Sequence, residues 1–157
     1  MKNTKAVGNI GEQIAAEYLV GKGYTVLERN AVYGGSEVDI ILECYVGKNG
    51  EIMSQSKSDK GVTSFFSRLA KSKKNADRVI VFCEVKTRYG EEYGSGLEAV
   101  TPYKMGRYIT AAKSYCMQKH LTNEDVRFDV IEVSDRGVLH IENAFTENDT
   151  KYPKNLH

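Results

Sequence analysis

The residues Phe82-Cys83-Glu84-Val85-Lys86-Thr87-Arg88, and upstream Glu37-Val38-Asp39-Ile40-Ile41, set acid against acid, or acid against base, two positions apart inside apolar runs. In an extended strand that spacing turns both polar side chains to one face and the intervening valine to the other. Two neighbouring strands of this kind would gather Glu37, Asp39, Glu84 and Lys86 on one surface of a sheet. Buried charges cost several kcal/mol each unless they are paired or hold a metal. Three carboxylates beside one ammonium therefore point to a divalent-metal site with a lysine next to it. The competing reading is a plain salt-bridge network of Asp39, Glu84 and Lys86.

The elements that must position these groups are legible from period and punctuation. Val7, Ile10, Ile14 and Tyr18 recur at helical spacing over residues 5–21, with Asn3 or Thr4 as cap and Gly21 and Gly23 as the stop. Gly8 and Gly11 inside that helix lower its intrinsic stability, which suggests close packing against another element. Residues 24–30 read as a short strand. A turn at Tyr33-Gly34-Gly35-Ser36 leads to a second strand over 37–45, and a third covers 78–87. The third is continuously apolar up to Glu84, as a strand covered on both faces should be. A helix opens at Thr101-Pro102, cap followed by proline, and runs to about Lys119. Two strands, 126–134 and 138–142, close the order α-β-β-β-α-β-β as a hairpin around Arg136-Gly137. Residues 47–77 form a polar, lysine-rich insertion in which 62–70 could hold a helical turn, and 146–157 read as a polar tail.

The chain has 157 residues, 41% of them hydrophobic and 27% charged, with a net charge of +1. That length suits one domain, spanning residues 1–145, able to bury roughly 70% of its unfolded surface. The longest clean apolar run, Val79–Cys83, is far too short to span a membrane, and the N-terminus lacks the apolar region of a secretory signal. Three cysteines without a pairing pattern suit a reducing cytoplasm. If the strands run unbroken, Cys83 lies opposite Glu84 and Cys44 opposite Asp39, both toward a core. Cys116 and His120 share a helical spacing but lack two further zinc ligands. Gly90, Gly94 and Gly96 match no phosphate-loop or dinucleotide fingerprint. Positive charge is uneven. Lys57, Lys60, Arg68, Lys71, Lys73 and Lys74 face a single Asp59, and Lys104, Arg107, Lys113 and Lys119 lie in a stretch from 99 to 123 without an acid. Such patches can hold a polyanion even at near-zero total charge, although solvated lysines are their ordinary use. Tyr89 and Tyr93 could stack on an unpaired base, or serve as rim tyrosines.

The motifs in their order resemble the YraN-like family, within the PD-(D/E)xK nuclease superfamily and similar to Holliday-junction resolvases. The resemblance is carried by Gly8-Asn9-Ile10-Gly11-Glu12, Glu28-Arg29-Asn30, Glu37-Val38-Asp39-Ile40-Ile41, Glu84-Val85-Lys86-Thr87-Arg88, Tyr93-Gly94, and Glu98-Ala99-Val100-Thr101 with Lys104. Arg127-Phe128-Asp129-Val130 and His140-Ile141-Glu142-Asn143-Ala144-Phe145 complete it. Two departures stand out. Ser36-Glu37-Val38-Asp39 replaces the usual Gly-Glu-Ile-Asp, and about thirty residues separate the second and third strands where the family has a tight hairpin.

The resemblance implies a restriction-endonuclease-like α/β fold, an α-β-β-β-α-β core with a mixed central sheet flanked by helices. It further implies that Asp39, Glu84 and the carbonyl of Val85 hold Mg²⁺ or Mn²⁺, with Glu37 as a further ligand or a partner of the ligands. Lys86 would orient or deprotonate the attacking water, and Glu12 would complete the catalytic set with Asp39, Glu84 and Lys86. Lys104, Arg107, Arg88, Lys71, Lys73 and Lys74 are the expected nucleic-acid contacts. The expected activity is metal-dependent cleavage of DNA, selective for branched or otherwise structured substrates, in a cytoplasmic protein without membrane association. A homodimer is expected by analogy with enzymes that make two symmetric cuts. The alternative is a nucleic-acid-binding or protein-interaction module that keeps the nuclease fold without turnover.

Overall fold

A computed structural model describes residues 4–53, 76–90 and 100–150 of the chain. Helix α1 (Thr4–Gly21) leads into strands β1 (Thr25–Tyr33), β2 (Ser36–Gly47) and β3 (Ala76–Arg88). Helix α2 (Pro102–Gln118) follows, then β4 (Asp125–Ser134), β5 (Gly137–Phe145) and one 3-10 turn, Glu147–Thr150. The strands form a single sheet in the order β1-β2-β3-β4-β5. Among the described strands, β3–β4 is the one pair with parallel pairing, and α2 is the crossover between them. This is the mixed sheet between helices that the motifs imply.

The helix boundaries follow the expected chemistry. Thr101 caps α2, its hydroxyl accepting from the Lys104 N–H at 3.2 Å, with Pro102 in the first helical position. At the end of α1, Gly23 takes φ +97°, while Tyr24 N–H reaches Leu19 C=O and Gly23 N–H reaches Val20 C=O. These two bonds satisfy the last carbonyls of the helix and need a residue free to adopt positive φ. Thr4, one of the two expected caps of α1, is its first helical residue, while Asn3, the helical turn expected at 62–70, and Lys71, Lys73, Lys74 and Tyr93 lie outside the described residues. Residues 147–150 depart from the expected tail: they form their turn against α2, where Lys113 Nζ meets Glu147 Oε1 at 2.9 Å.

Two cores sandwich the sheet. In one, Ala15 and Leu19 of α1 pack on Ile40, Leu42, Cys44, Val81, Cys83 and Ile131. In the other, Tyr108 of α2 packs with Val38, Ile41, Ile80, Phe82, Phe128, Val130 and Phe145. Both buried cysteines face α1, opposite Glu84, as strand alternation requires. His120 takes φ +56° beyond the end of α2, so it does not continue the helical face of Cys116. Among the described residues no three His, Cys, Asp or Glu side chains form a metal-binding group.

Membership of the two cores exposes a break in the alternation that the sequence argument assumed. Val38 belongs to the α2 core and Ile40 to the α1 core, although residues two apart on a regular strand share a face. Strand β1 breaks at the same level. Arg29, paired with Ile40, reaches α1 by a 2.7 Å bond to Gln13, whereas Ala31, paired with Val38, packs beneath α2. Between them Asn30 takes φ +49°. The outer half of the β1–β2 hairpin thus curls away from α1 and onto α2, with Asn30 and Asp39 at the switch.

Gly11 sets the approach of α1. A β-carbon there would lie 1.8 Å from Thr87 Oγ1 and 2.9 Å from Thr87 Cβ, so the helix crosses the end of β3 at a distance only glycine permits. Gly8 meets nothing within 4 Å, so packing accounts for one of the two helical glycines.

On the α1 side, Asp129 is fully buried at the centre of a closed network. Arg127 donates to both its oxygens at 2.8 and 2.7 Å, His140 Nε2 donates at 2.8 Å, and the Asn143 N–H donates at 2.9 Å. Burial would raise its pKa, but these donors outweigh it and hold Asp129 below the ordinary carboxylate value. Removing one partner of such a set strands the others in a dry interior. Asp129→Ala is therefore expected to cost about 3–5 kcal/mol in urea unfolding; a loss under about 1 kcal/mol would mean that the network adds nothing beyond surface pairing.

Candidate functional site

Asp39 and Glu84 meet where β2 and β3 fork. The ladder between these strands runs from Gly47↔Ala76 to Ile40↔Cys83, one residue short of the two acids. Beyond it the Asp39 carboxylate turns across, and Oδ2 accepts from the Val85 N–H at 2.8 Å. The hydroxyl of Tyr108, a fully buried α2 residue, enters the fork. It accepts from the Asp39 N–H at 3.3 Å and lies 3.5 Å from the Cys83 carbonyl. It also hydrogen-bonds the Glu84 carboxylate. A phenol has one proton to donate, and the ionised carboxylate is the stronger acceptor.

Glu84 is 2% exposed and carries a cation on each oxygen. Lys86 Nζ lies 2.8 Å from Oε1, and Lys104 Nζ lies 3.1 Å from Oε2. Burial opposes ionisation, but the hydrogen bonds from Lys86 and Tyr108 and the charge of Lys104 prevail, and hold the Glu84 pKa below its ordinary value. Asp39 goes the other way. Burial, then the neighbouring Glu84 charge, push it from 3.8 up to about 7, against the Val85 hydrogen bond and the Lys104 charge. Two adjacent carboxylates with pKa values driven apart are a common property of sites that bind cations or move protons.

The other expected residues take varied places. Glu12 is near enough for its charge to raise the Asp39 pKa, and Asn30 Nδ2 holds it at 3.0 Å. Glu37 is a correction to the expected surface: it is exposed, opposite Val32, and alternates with Val38, which points under α2. The switch at Asp39 removes the shared face that its i, i+2 spacing predicted. Arg107 bonds the Gly35 carbonyl at 2.9 Å, tying the hairpin to α2, and Arg88 lies 4.0 Å from Glu132. Lys104, expected at a phosphate, is on Glu84. Tyr108 was missed, because an aromatic at helical spacing reads as core; its one signal is its place four residues after Lys104. A groove of about 560 Å³ between α2, β4, β5 and the 3-10 turn contains none of the candidate site residues.

A divalent ion can be tested against these donors. The buried Oε2 of Glu84 has no hydrogen-bond partner, a rare condition for a buried oxygen. It lies 3.1 Å from the Lys104 ammonium, and the charge of that ammonium also reaches Asp39 and lowers its pKa. Two carboxylates do not enclose Ca²⁺, but they suit Mg²⁺ or Mn²⁺, which keep several waters. The residues fit a Mg²⁺-type ion.

The pKa of Asp39 makes metal-free stability fall with pH. The folded chain holds this proton more tightly than the unfolded chain, so the contribution is full below 3.8 and is lost as pH rises through about 7. Asn mimics the protonated acid and can keep the Val85 bond. Asp39→Asn should melt higher than the unsubstituted chain at about pH 8.5, with the gap closing by about pH 5; an equal difference at both pH values would contradict the raised pKa. Tyr108→Phe should cost about 1–3 kcal/mol in denaturant unfolding, because it strands the Asp39 N–H while keeping the ring. A neutral result would show that the hydroxyl does not support the fork.

The Uncharacterised protein family UPF0102 matches residues 11–133. A UPF0102 protein of Clostridium botulinum (strain Loch Maree / Type A3) is 38% identical over 148 residues, covering 90% of this chain and 94% of that protein. One from Clostridium perfringens (strain ATCC 13124) is 34% identical over 133 residues, 85% of this chain and 83% of the other. A third, from Sulfurihydrogenibium sp. (strain YO3AOP1), is 31% identical over 139 residues, 88% and 93% of the two chains. A match of this extent, spanning the fork and both helices around it, makes the chain a member of the UPF0102 or YraN family, a PD-(D/E)xK nuclease-like family.

Proposed function

We propose that this chain is a divalent-metal-dependent nuclease that hydrolyses phosphodiester bonds in DNA, with branched or otherwise structured DNA as its preferred substrate. The observation that carries the reading is the pairing of Asp39 and Glu84 across the β2–β3 fork, with Lys86 two residues on from Glu84 and bonded to it at 2.8 Å. No packing role calls for a second carboxylate with its pKa raised to about 7 beside a buried ionised one.

Asp39, Glu84 and the Val85 carbonyl would hold Mg²⁺ or Mn²⁺, whose Lewis acidity polarises a bound phosphate and acidifies a bound water. The chain's own groups supply the rest. Tyr108 fixes the Asp39 backbone and donates to Glu84, so both carboxylates are oriented before substrate arrives. Lys86, half-buried and held by Glu84, is placed to direct a water toward phosphorus and to offset charge developing on the phosphate. Glu12 adds a carboxylate on the α1 side that can accept a proton from that water. Tyr103, exposed beside Arg107 at the start of α2, offers a ring to an unpaired base.

The test is Mn²⁺ and Mg²⁺ titration by calorimetry, alongside cleavage of a panel of duplex, single-stranded and branched DNA. Glu84→Gln and Lys86→Met should each lower cleavage at least 100-fold, with Glu84→Gln also losing metal binding and Lys86→Met keeping it. Metal binding without cleavage of any substrate would sink the nuclease reading and leave a metal-dependent binding module. DNA binding with neither metal nor cleavage would favour the non-catalytic alternative.

A further inference from the structure

Glu84 carries two lysines that are not equivalent. Lys86 is on the same strand, and its position follows from strand geometry. Lys104 reaches in from another element, across a ring: its Nζ is 5.7 Å from the centroid of Tyr108 and 3.1 Å from Glu84 Oε2. That oxygen has no hydrogen-bond partner, so the contact is an ion pair without hydrogen-bond geometry. The same ammonium lowers the pKa of both Asp39 and Glu84, and so sits within electrostatic reach of both carboxylates. A cation bound to Glu84 Oε2 would have to displace that ammonium.

We infer that Lys104 is a resident counter-cation, which fills the divalent-ion position of the metal-free protein and must leave Glu84 before an ion can bind. The inference rests on the metal-dependent reading above and adds an order of events to it. An ammonium and a divalent ion cannot share Oε2, because their repulsion is strong where water is scarce. Lysine suits the exchange: its point charge sits on a flexible four-carbon stem, and the Lys104 side chain is 38% exposed, so it can swing to solvent. Once released, it stands beside the site as a phosphate ligand.

Two consequences follow from linkage. The ion binds more weakly than the bare carboxylates would allow, by the cost of displacing the ammonium. Any anion that draws Lys104 away raises metal affinity, and the metal raises anion affinity by the same factor. Metal and substrate phosphate therefore load together.

The experiment is calorimetric titration of Mn²⁺ into the full chain and into Lys104→Met, which keeps the stem and removes the charge. Lys113→Met, on the same helix, is the charge control. Lys104→Met should bind Mn²⁺ roughly tenfold more tightly and melt lower than the unsubstituted chain when metal-free; Lys113→Met should do neither. In the unsubstituted chain, saturating Mg²⁺ should raise acylation of Lys104 by an amine reagent severalfold, read by peptide mapping, and Asp39→Asn should abolish the increase. Equal or weaker Mn²⁺ affinity in Lys104→Met, a matching gain in Lys113→Met, or acylation indifferent to Mg²⁺ would each overturn the inference while leaving the metal site intact. Absence of Mn²⁺ binding in every folded variant would instead remove the metal-dependent reading, and the inference with it.

Discussion

Everything around the fork answers to one constraint, the ionised carboxylate of Glu84 in a position almost closed to water. An isolated charge there would cost several kcal/mol, and one counter-ion seldom compensates fully for desolvation. Glu84 has three partners from two elements: Lys86 from its own strand, and Tyr108 and Lys104 from α2. The pose of α2 is coupled to that need. The helix that completes the parallel crossover also delivers a phenol to the fork and an ammonium to the second oxygen. Asp39 is affected at second hand, because its pKa rises partly in response to the charge that Glu84 retains.

The protein holds a second buried acid for comparison. Asp129 is as inaccessible as Glu84 and is likewise held ionised, but its donors are an arginine, a histidine and a backbone amide with both oxygens engaged. Glu84 keeps one oxygen without a hydrogen bond, facing a lysine that can move. Burial and a lowered pKa are common to both, so neither property separates an architectural acid from one kept for exchange. The two acids differ instead in the completeness of their hydrogen bonding.

Most of the fold could be read from the sequence, because its signals are local. Thr101-Pro102 opens α2, Gly23 ends α1, and the apolar run before Glu84 is the central strand. The acid pair and Lys86 were legible for the same reason, being fixed by alternation along β3 and by the register with β2. Glu37 was misplaced because period-two reasoning presumes an unbroken strand. The clue to the break was Asn30 within an otherwise strand-like run, since asparagine tolerates positive φ better than other non-glycine residues. Tyr108 and the true partner of Lys104 depend on a docking angle between helix and sheet, which no window of sequence encodes. Gly11 was read correctly as a close-contact residue, although its partner, Thr87, lies 76 positions away.

The parallel pairing of β3 with β4 bears on how the chain assembles. An antiparallel pair such as β4–β5 closes over a two-residue turn, whereas β3 cannot pair with β4 until the intervening chain has crossed the sheet. That crossing is what brings Tyr108 and Lys104 to Glu84. Without that crossing, Glu84 would lie on an open sheet edge, as an ordinary hydrated glutamate. The environment of the acid pair thus depends on the docking of α2, and a chain that ends before Pro102 carries both acids without the groups that distinguish them.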